Sequence, residues 1–202
     1  MIASKTEIKA ILAMTSTTQD DLIDRLIPVI DDDIRQYCNN AFRDSNVYIS
    51  SGEISFTHNS TAADVISLDI GTGEDGFAEA QFKDGQTVQV LGSYNNDGFF
   101  EVESVASTSL TLYSSTSRPY YDELVTEDED VLVTIAKVQY PKALQMVAAQ
   151  MVNYRLANRD YGVKSETVSR YSVTYTGAVE MSGGYPKSLM SGLNKWRNPK
   201  FA

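Results

Sequence analysis

The sequence predicts an α+β protein, a helical bundle split by an inserted small antiparallel β barrel or sandwich. Three observations predict it. Residues 140–159, YPKALQMVAAQMVNYRLANR, set Leu144, Val147, Ala148, Met151, Val152 and Arg155 at the three-and-four spacing of a helix with one apolar face. Residues 19–39 carry a second stripe through Leu22, Ile23, Leu26, Ile27, Ile30, Ile34, Tyr37 and Cys38. Between them, in 46–138, short apolar and aromatic segments alternate with Gly, Asn, Asp and Ser clusters, the grammar of strands and turns. The expected domains are a discontinuous helical one, 1–45 with 139–202, and an inserted strand-rich one, 46–138. An insertion of this kind enters and leaves its host at neighbouring points.

The elements follow in chain order. Residues 5–14 form a short helix with Ile8, Ile11 and Leu12 on its apolar side. Ser4 caps it, and Glu7 completes a capping box. Thr18 followed by Asp21 marks the start of the second helix, and Pro28 predicts a kink within it. Consecutive Asp31, Asp32 and Asp33 point about a hundred degrees apart on a helix, so they read as a solvated face rather than a metal site. Strands are expected at 87–91, 99–105, 109–113 and 131–138, with a hairpin turn at 95–98, Asn-Asn-Asp-Gly. Pro141 suits the first turn of the central helix, because its missing N–H has no partner there in any case. Gly162 stops that helix, and 164–177, KSETVSRYSVTYTG, alternates as an extended hairpin. Pro186 opens a last helix over 187–197 with Leu189, Leu193 and Trp196 on one face.

The chain has 202 residues and a net charge of −10, which argues against tight non-specific DNA binding. The charge is unevenly placed. Residues 46–138 hold 16 acidic and 3 basic side chains, whereas 139–202 hold 9 basic and 3 acidic. Two readings fit: a C-terminal piece suited to an acidic partner with a middle that repels acids, or ordinary scatter of surface charge, which would give a milder asymmetry. The lone Cys38 excludes an intramolecular disulfide and points to the cytosol. No apolar run reaches the length of a membrane span, and the N-terminus lacks the features of a signal peptide.

Chemistry-bearing residues are sparse. The loop 69–76, DIGTGEDG, lacks both the alternating acids of a calcium-binding EF-hand and the Lys-Ser/Thr of a P-loop, so it reads as a turn. His58 is the only histidine and lies in a polar loop, with no spacing that supports a Ser-His-Asp site. Catalytic, metal and cofactor residues are therefore expected to be none, and the chain is not expected to be an enzyme. Aromatics Tyr94, Phe99, Phe100, Tyr120 and Tyr121 offer an alternative, a strand domain that recognises a glycan or host surface, although core and turn packing explains them more simply.

The order of several short motifs resembles the head–tail connector proteins of tailed bacteriophages. The residues that carry the resemblance are Asp20-Asp21-Leu22-Ile23, Gln36-Tyr37-Cys38-Asn39-Asn40-Ala41-Phe42, and Tyr140-Pro141-Lys142-Ala143-Leu144. They continue through Tyr154-Arg155, Asn158-Arg159, Tyr161 to Glu166 and Tyr171-Ser172-Val173-Thr174-Tyr175, and close with Tyr185-Pro186-Lys187-Ser188-Leu189, Leu193 and Trp196-Arg197. They lie in the two ends of the chain and not in its middle. The resemblance implies a connector-type bundle of N-terminal helices, a central helix, a β hairpin and a C-terminal helix. It also implies a virion protein, assembled in the host cytoplasm, that forms a ring of typically twelve copies beneath the portal. DNA passes through such a ring as cargo, and a stopper, tail-completion or tail-terminator protein docks on its far side. By position, Lys187, Leu193, Trp196, Arg197, Lys200 and Phe201 are the implied portal contacts. Exposed Tyr171 and Tyr175 suit contacts between subunits. The inserted strand module departs from the compact pattern and is expected to project outward.

Overall fold

The computed structural model describes residues 1–60, 62–71, 75–113, 123–128, 131–157 and 184–199, together with the backbone of 165–168, 171–174 and 181–182. The chain divides into two compact units: Ala41–Tyr140 with Met1, and Ile2–Asn40 with Pro141–Ala202.

The first unit is a single seven-stranded antiparallel sheet. Its strands are β1 (Arg43–Ser51), β2 (Ile54–Thr57), β3 (Val65–Leu68), β4 (Thr87–Leu91), β5 (Gly98–Val105), β6 (Ser109–Leu112) and β7 (Val133–Val138), in the order β1-β7-β4-β5-β6-β3-β2. The expected turn at 95–98 does connect an antiparallel pair, with Val90 opposite Gly98 and Val88 opposite Phe100. Every strand sends apolar side chains into one core, among them Val47, Phe56, Ile66, Val88, Val102, Leu110 and Ile135. The two edges of the sheet, β1 and β2, are separated in sequence only by Gly52 and Glu53. Three Cα steps of about 3.8 Å bound their ends to within about 11 Å, so the sheet curves enough to bring its two edges that close at this corner. Where the chain enters and leaves, the Phe42 and Tyr140 rings lie 5.4 Å apart, and the Gln139 N–H donates to the Phe42 carbonyl over 2.8 Å.

The second unit holds the helices. They are α1 (Lys5–Ile11), α2 (Asp20–Cys38), α3 (Ala143–Ala157) and α4 (Lys187–Ser191), with a 3₁₀ turn at Asn194–Trp196. The capping box of Ser4 and Glu7 is present at the start of α1. Lys5 pairs with Asp24 and Lys9 with Asp20, both at 2.6 Å, joining α1 to α2. Gln145 donates to Glu7 over 2.9 Å, joining α3 to α1. Helix α2 starts after Gln19, with no side-chain cap from Thr18, and it continues through Pro28 to Cys38. Helix α3 buries Leu144, Ala148, Ala149, Met151, Val152 and Leu156, a band broader than a single stripe because α1, α2 and α4 all pack on it. The expected hairpin appears as β8 (Ser165–Val168) paired with β9 (Tyr171–Thr174), and β10 (Met181–Ser182) pairs with β11 (Tyr185–Pro186).

The expected fold class does not hold. A helical bundle of connector type with an inserted barrel or sandwich is replaced by one dominant seven-stranded antiparallel sheet accompanied by four short helices. A sandwich requires two separate sheets, and here every strand from β1 to β7 belongs to one sheet. A barrel requires the edges to pair, and among the described residues no ladder joins β1 to β2. On the helical side, α1 and α4 span only seven and five residues, too short to form walls of a bundle. The last helix, expected over 187–197, breaks at Gly192 and resumes only as the 3₁₀ turn.

Candidate functional site

Helix α2 ends on Asn39, whose left-handed backbone (φ 47°, ψ 43°) turns its N–H back to the Arg35 and Gln36 carbonyls. The carbonyls of a final helical turn need donors, and the C-terminal segment supplies one. The Asn198 N–H donates to the Cys38 carbonyl over 2.8 Å. Tyr37 Oη donates to Asn194 Oδ1 at 2.9 Å, and Asn40 Nδ2 donates to the Trp196 carbonyl at 3.1 Å. The Arg197 guanidinium lies 5.4 Å from the centre of the Tyr37 ring, and Lys195 Nζ lies 4.0 Å from that of Trp196. Cations beside aromatic faces and at a helix C-terminus are both favourable placements. Residues 193–198 are therefore strapped to the end of α2, and they display a basic, aromatic face.

The expected contact residues divide accordingly. Lys187 and Arg197 are exposed and Trp196 is half-buried, whereas Leu193 is fully buried. Leu193 anchors the segment in its own unit, with its carbonyl accepting from the Cys38 thiol at 3.8 Å, so it offers no side-chain surface to a partner. Lys200, Phe201 and Tyr175 lie outside the described residues, and Tyr171 is described only as backbone of β9. Burial pushes the Cys38 thiol up to about 11, against the opposing charge of Arg197, which makes it a packing group rather than a nucleophile.

A second polar node sits within the helical unit. Tyr185 Oη donates to Asp33 Oδ2 at 2.8 Å and accepts from Arg155 Nε at 3.0 Å. The Arg155 guanidinium also lies 4.7 Å from the centre of the Tyr185 ring, and Tyr154 packs 6.0 Å from it. Burial first, and Asp33 after it, raise the Tyr185 phenol far above its ordinary range, so it stays a protonated donor. The neighbouring Asp31 is buried and accepts the Ile2 N–H at 3.0 and 3.2 Å. Burial pushes its carboxyl up to about 6, opposed by Arg35 and by the Ile2 N–H. Only Asp32 is exposed, so the solvated-face reading of Asp31–Asp33 fails for two of the three. The partners of Asp33, Tyr185 and Arg155, come from segments more than a hundred residues away, beyond the reach of helical periodicity.

In the sheet unit, His58 Nδ1 lies 3.0 Å from Asp64 Oδ1. That carboxylate is already engaged, accepting the Asn59 and Leu124 N–H groups at 2.8 Å each. Asp64 thus pins two loops and uses His58 as a third strut. Of the aromatics considered for a glycan site, among the described residues Phe100 is in the core, Phe99 is half-buried and Tyr94 is exposed. Tyr120 and Tyr121 lie outside the described residues, as do residues 72–74 of the 69–76 loop. Among the described residues no group of three or more His, Cys, Asp or Glu is arranged to hold a metal ion, and no helix is long and apolar enough to cross a membrane. Comparison with protein-family models and with curated proteins returns no match.

Proposed function

We propose that this chain is a structural adaptor of a tailed-phage particle, a ring-forming head–tail connector component that performs no chemistry. The observation that carries the reading is the basic, aromatic face at 193–198, held on the end of α2 in an otherwise acidic chain. The order of the terminal sequence motifs supports the same reading and does not depend on a connector-type bundle. In this role, Lys187 and the chain end with Lys200 and Phe201 contact the portal. The ring passes DNA as cargo and presents its far side to a stopper, tail-completion or tail-terminator protein. An acidic protein suits transit, because tight neutralisation of phosphates would retain the DNA. Ring symmetry converts many weak identical contacts into a stable assembly.

The test is the mass of the purified protein in solution, with electron microscopy after mixing with a portal ring. A closed ring, formed alone or only in the presence of portal, is expected. A stable monomer that ignores the portal and binds glycans overturns the reading.

A further inference from the structure

Three of the exposed large apolar side chains lie at one end of the sheet unit. Tyr94 is 77% exposed, Leu132 69% and Val125 50%. They belong to the β4–β5 turn, to the start of β7 and to the segment 123–128, and the backbone brings the three together. Leu91 pairs with Thr134, and Gly92 (φ +89°) sits so close that a Cβ there would meet the Leu132 carbonyl at 2.7 Å. The buried Asn96 side chain donates to the Val125 carbonyl at 2.9 Å and accepts the Val125 N–H at 2.7 Å, a mimic of backbone pairing. Glu127 accepts the Tyr94 and Asn95 N–H groups at 2.7 and 3.1 Å and Asn96 Nδ2 at 2.9 Å. Its own backbone is bridged in both directions to Phe56 of β2. The tip is thus fixed by its own hydrogen bonds before any partner arrives.

A preorganised cluster with an exposed aromatic anchor is what a protein interface uses, because little ordering entropy remains to be lost. The rim here is acidic, with Asp97, Glu123 and Asp128 all exposed. A fitting partner has an apolar or aromatic centre with a basic rim. The chain itself displays that chemistry on its C-terminal face, where Trp196 and Tyr37 are flanked by exposed Lys195 and Arg197. We propose that the sheet-unit tip of one copy docks on the C-terminal face of a second copy, acid rim against basic rim. Such a contact joins two different patches, so it is heterologous and propagates from copy to copy, closing into a ring when the rotation permits. The inference deepens the ring reading by naming the two faces. It moves Trp196 and Arg197 from the portal-contact set to the contact between copies, and leaves Lys187 and the chain end for the portal.

Charge reversal separates this idea from the ring reading itself. The proteins compared are the full chain, a tip variant (Glu123→Lys with Asp128→Lys) and a face variant (Lys195→Glu with Arg197→Glu). Sedimentation measures self-association over a wide concentration range at low and high salt, and circular dichroism checks the fold. The wild type is expected to associate with increasing concentration and to weaken in salt. Each variant alone loses at least tenfold in association, and an equal mixture of the two regains it through the swapped charges. Undiminished association of either variant, or no gain on mixing, overturns the proposal, as does a wild type monomeric throughout. If the reversals unfold the chain, Tyr94→Ser decides, with a loss of at least tenfold expected and no change overturning the contact. Rings that still form on the portal with both charge variants preserve the ring reading and remove this interface from it.

Discussion

In the sheet unit, carboxylates serve the backbone: the buried Asp64 accepts N–H groups from residues 59 and 124, and the half-buried Glu127 accepts those of residues 94 and 95. In the helical unit, carboxylates serve side chains and distant segments, with Asp33 receiving the Tyr185 hydroxyl from 152 residues away and Asp31 taking the Ile2 N–H. Loop polar groups in the first unit are thereby closed off one by one. The second unit is held by a few long-range nodes in which charge, ring and hydroxyl act together. The two units therefore fail in different ways. Loss of a carboxylate in the sheet unit strands backbone donors, whereas loss of a partner in the helical unit releases a segment.

The largest expected effect lies in the sheet unit. Asp64→Ala leaves two backbone N–H groups and His58 without their acceptor, and a loss of about 3 kcal/mol is expected in chemical denaturation. A loss no larger than that of an exposed control, such as Glu123→Ala, would mean that Asp64 holds its two loops no more firmly than a surface carboxylate does. Gly92→Ala comes next, at about 2.5 kcal/mol, because its positive φ and the Leu132 carbonyl at 2.7 Å both oppose a Cβ. Thermal melting of that variant checks it.

In the helical unit the expected effects are smaller. The Asp31 carboxyl rises from 3.8 to about 6 on folding, so the folded chain holds that proton more tightly than the unfolded chain. Its contribution is fully present below about pH 4 and is lost as pH rises through 6. Melting temperatures measured between pH 4.5 and 7.5 should fall across that window, and Asp31→Asn should flatten the curve. Tyr185→Phe removes the hydroxyl between Asp33 and Arg155 but keeps the ring, and about 1 kcal/mol is expected. Hydrogen exchange should report faster opening at 184–190 than in β4, and equal acceleration in both would blur the two-unit distinction.

The strands at 87–91, 98–105, 109–112 and 133–138 were legible because alternation and turn residues are local signals. The capping box at Ser4 was legible for the same reason. Strands β1, β2 and β3 were not singled out, since RDSNVYISS and ISFT contain too many small polar residues to stand out, and only their partners in the sheet define them. The sheet order itself is non-local: β1 finds its neighbour in β7, with Ser51 opposite Val133, and no pattern within either strand announces it. Leu193 and Trp196, expected on one face of a single helix over 187–197, instead fall beyond a break at Gly192, Leu193 buried and Trp196 half-buried. Which of them faces inward depends on the helix break at Gly192 and on the bonds to Tyr37, Cys38 and Asn40. The Asp33–Tyr185–Arg155 node was invisible for a similar reason, because three residues from three segments share no spacing.

The two-residue corner between β1 and β2 has a consequence for synthesis. These strands leave the ribosome together, yet they are destined for opposite edges of the sheet, β1 beside β7, the last strand of that sheet to be made, and β2 beside β3. Helices α1 and α2 emerge earlier still and wait for α3 to cover them. High sequence separation between contacting strands slows folding, and exposed intermediates invite the wrong pairings. The chain is therefore committed to folding late, after residue 138 has cleared the exit tunnel, and the sheet and helical units become competent within a few seconds of each other at ordinary rates of synthesis.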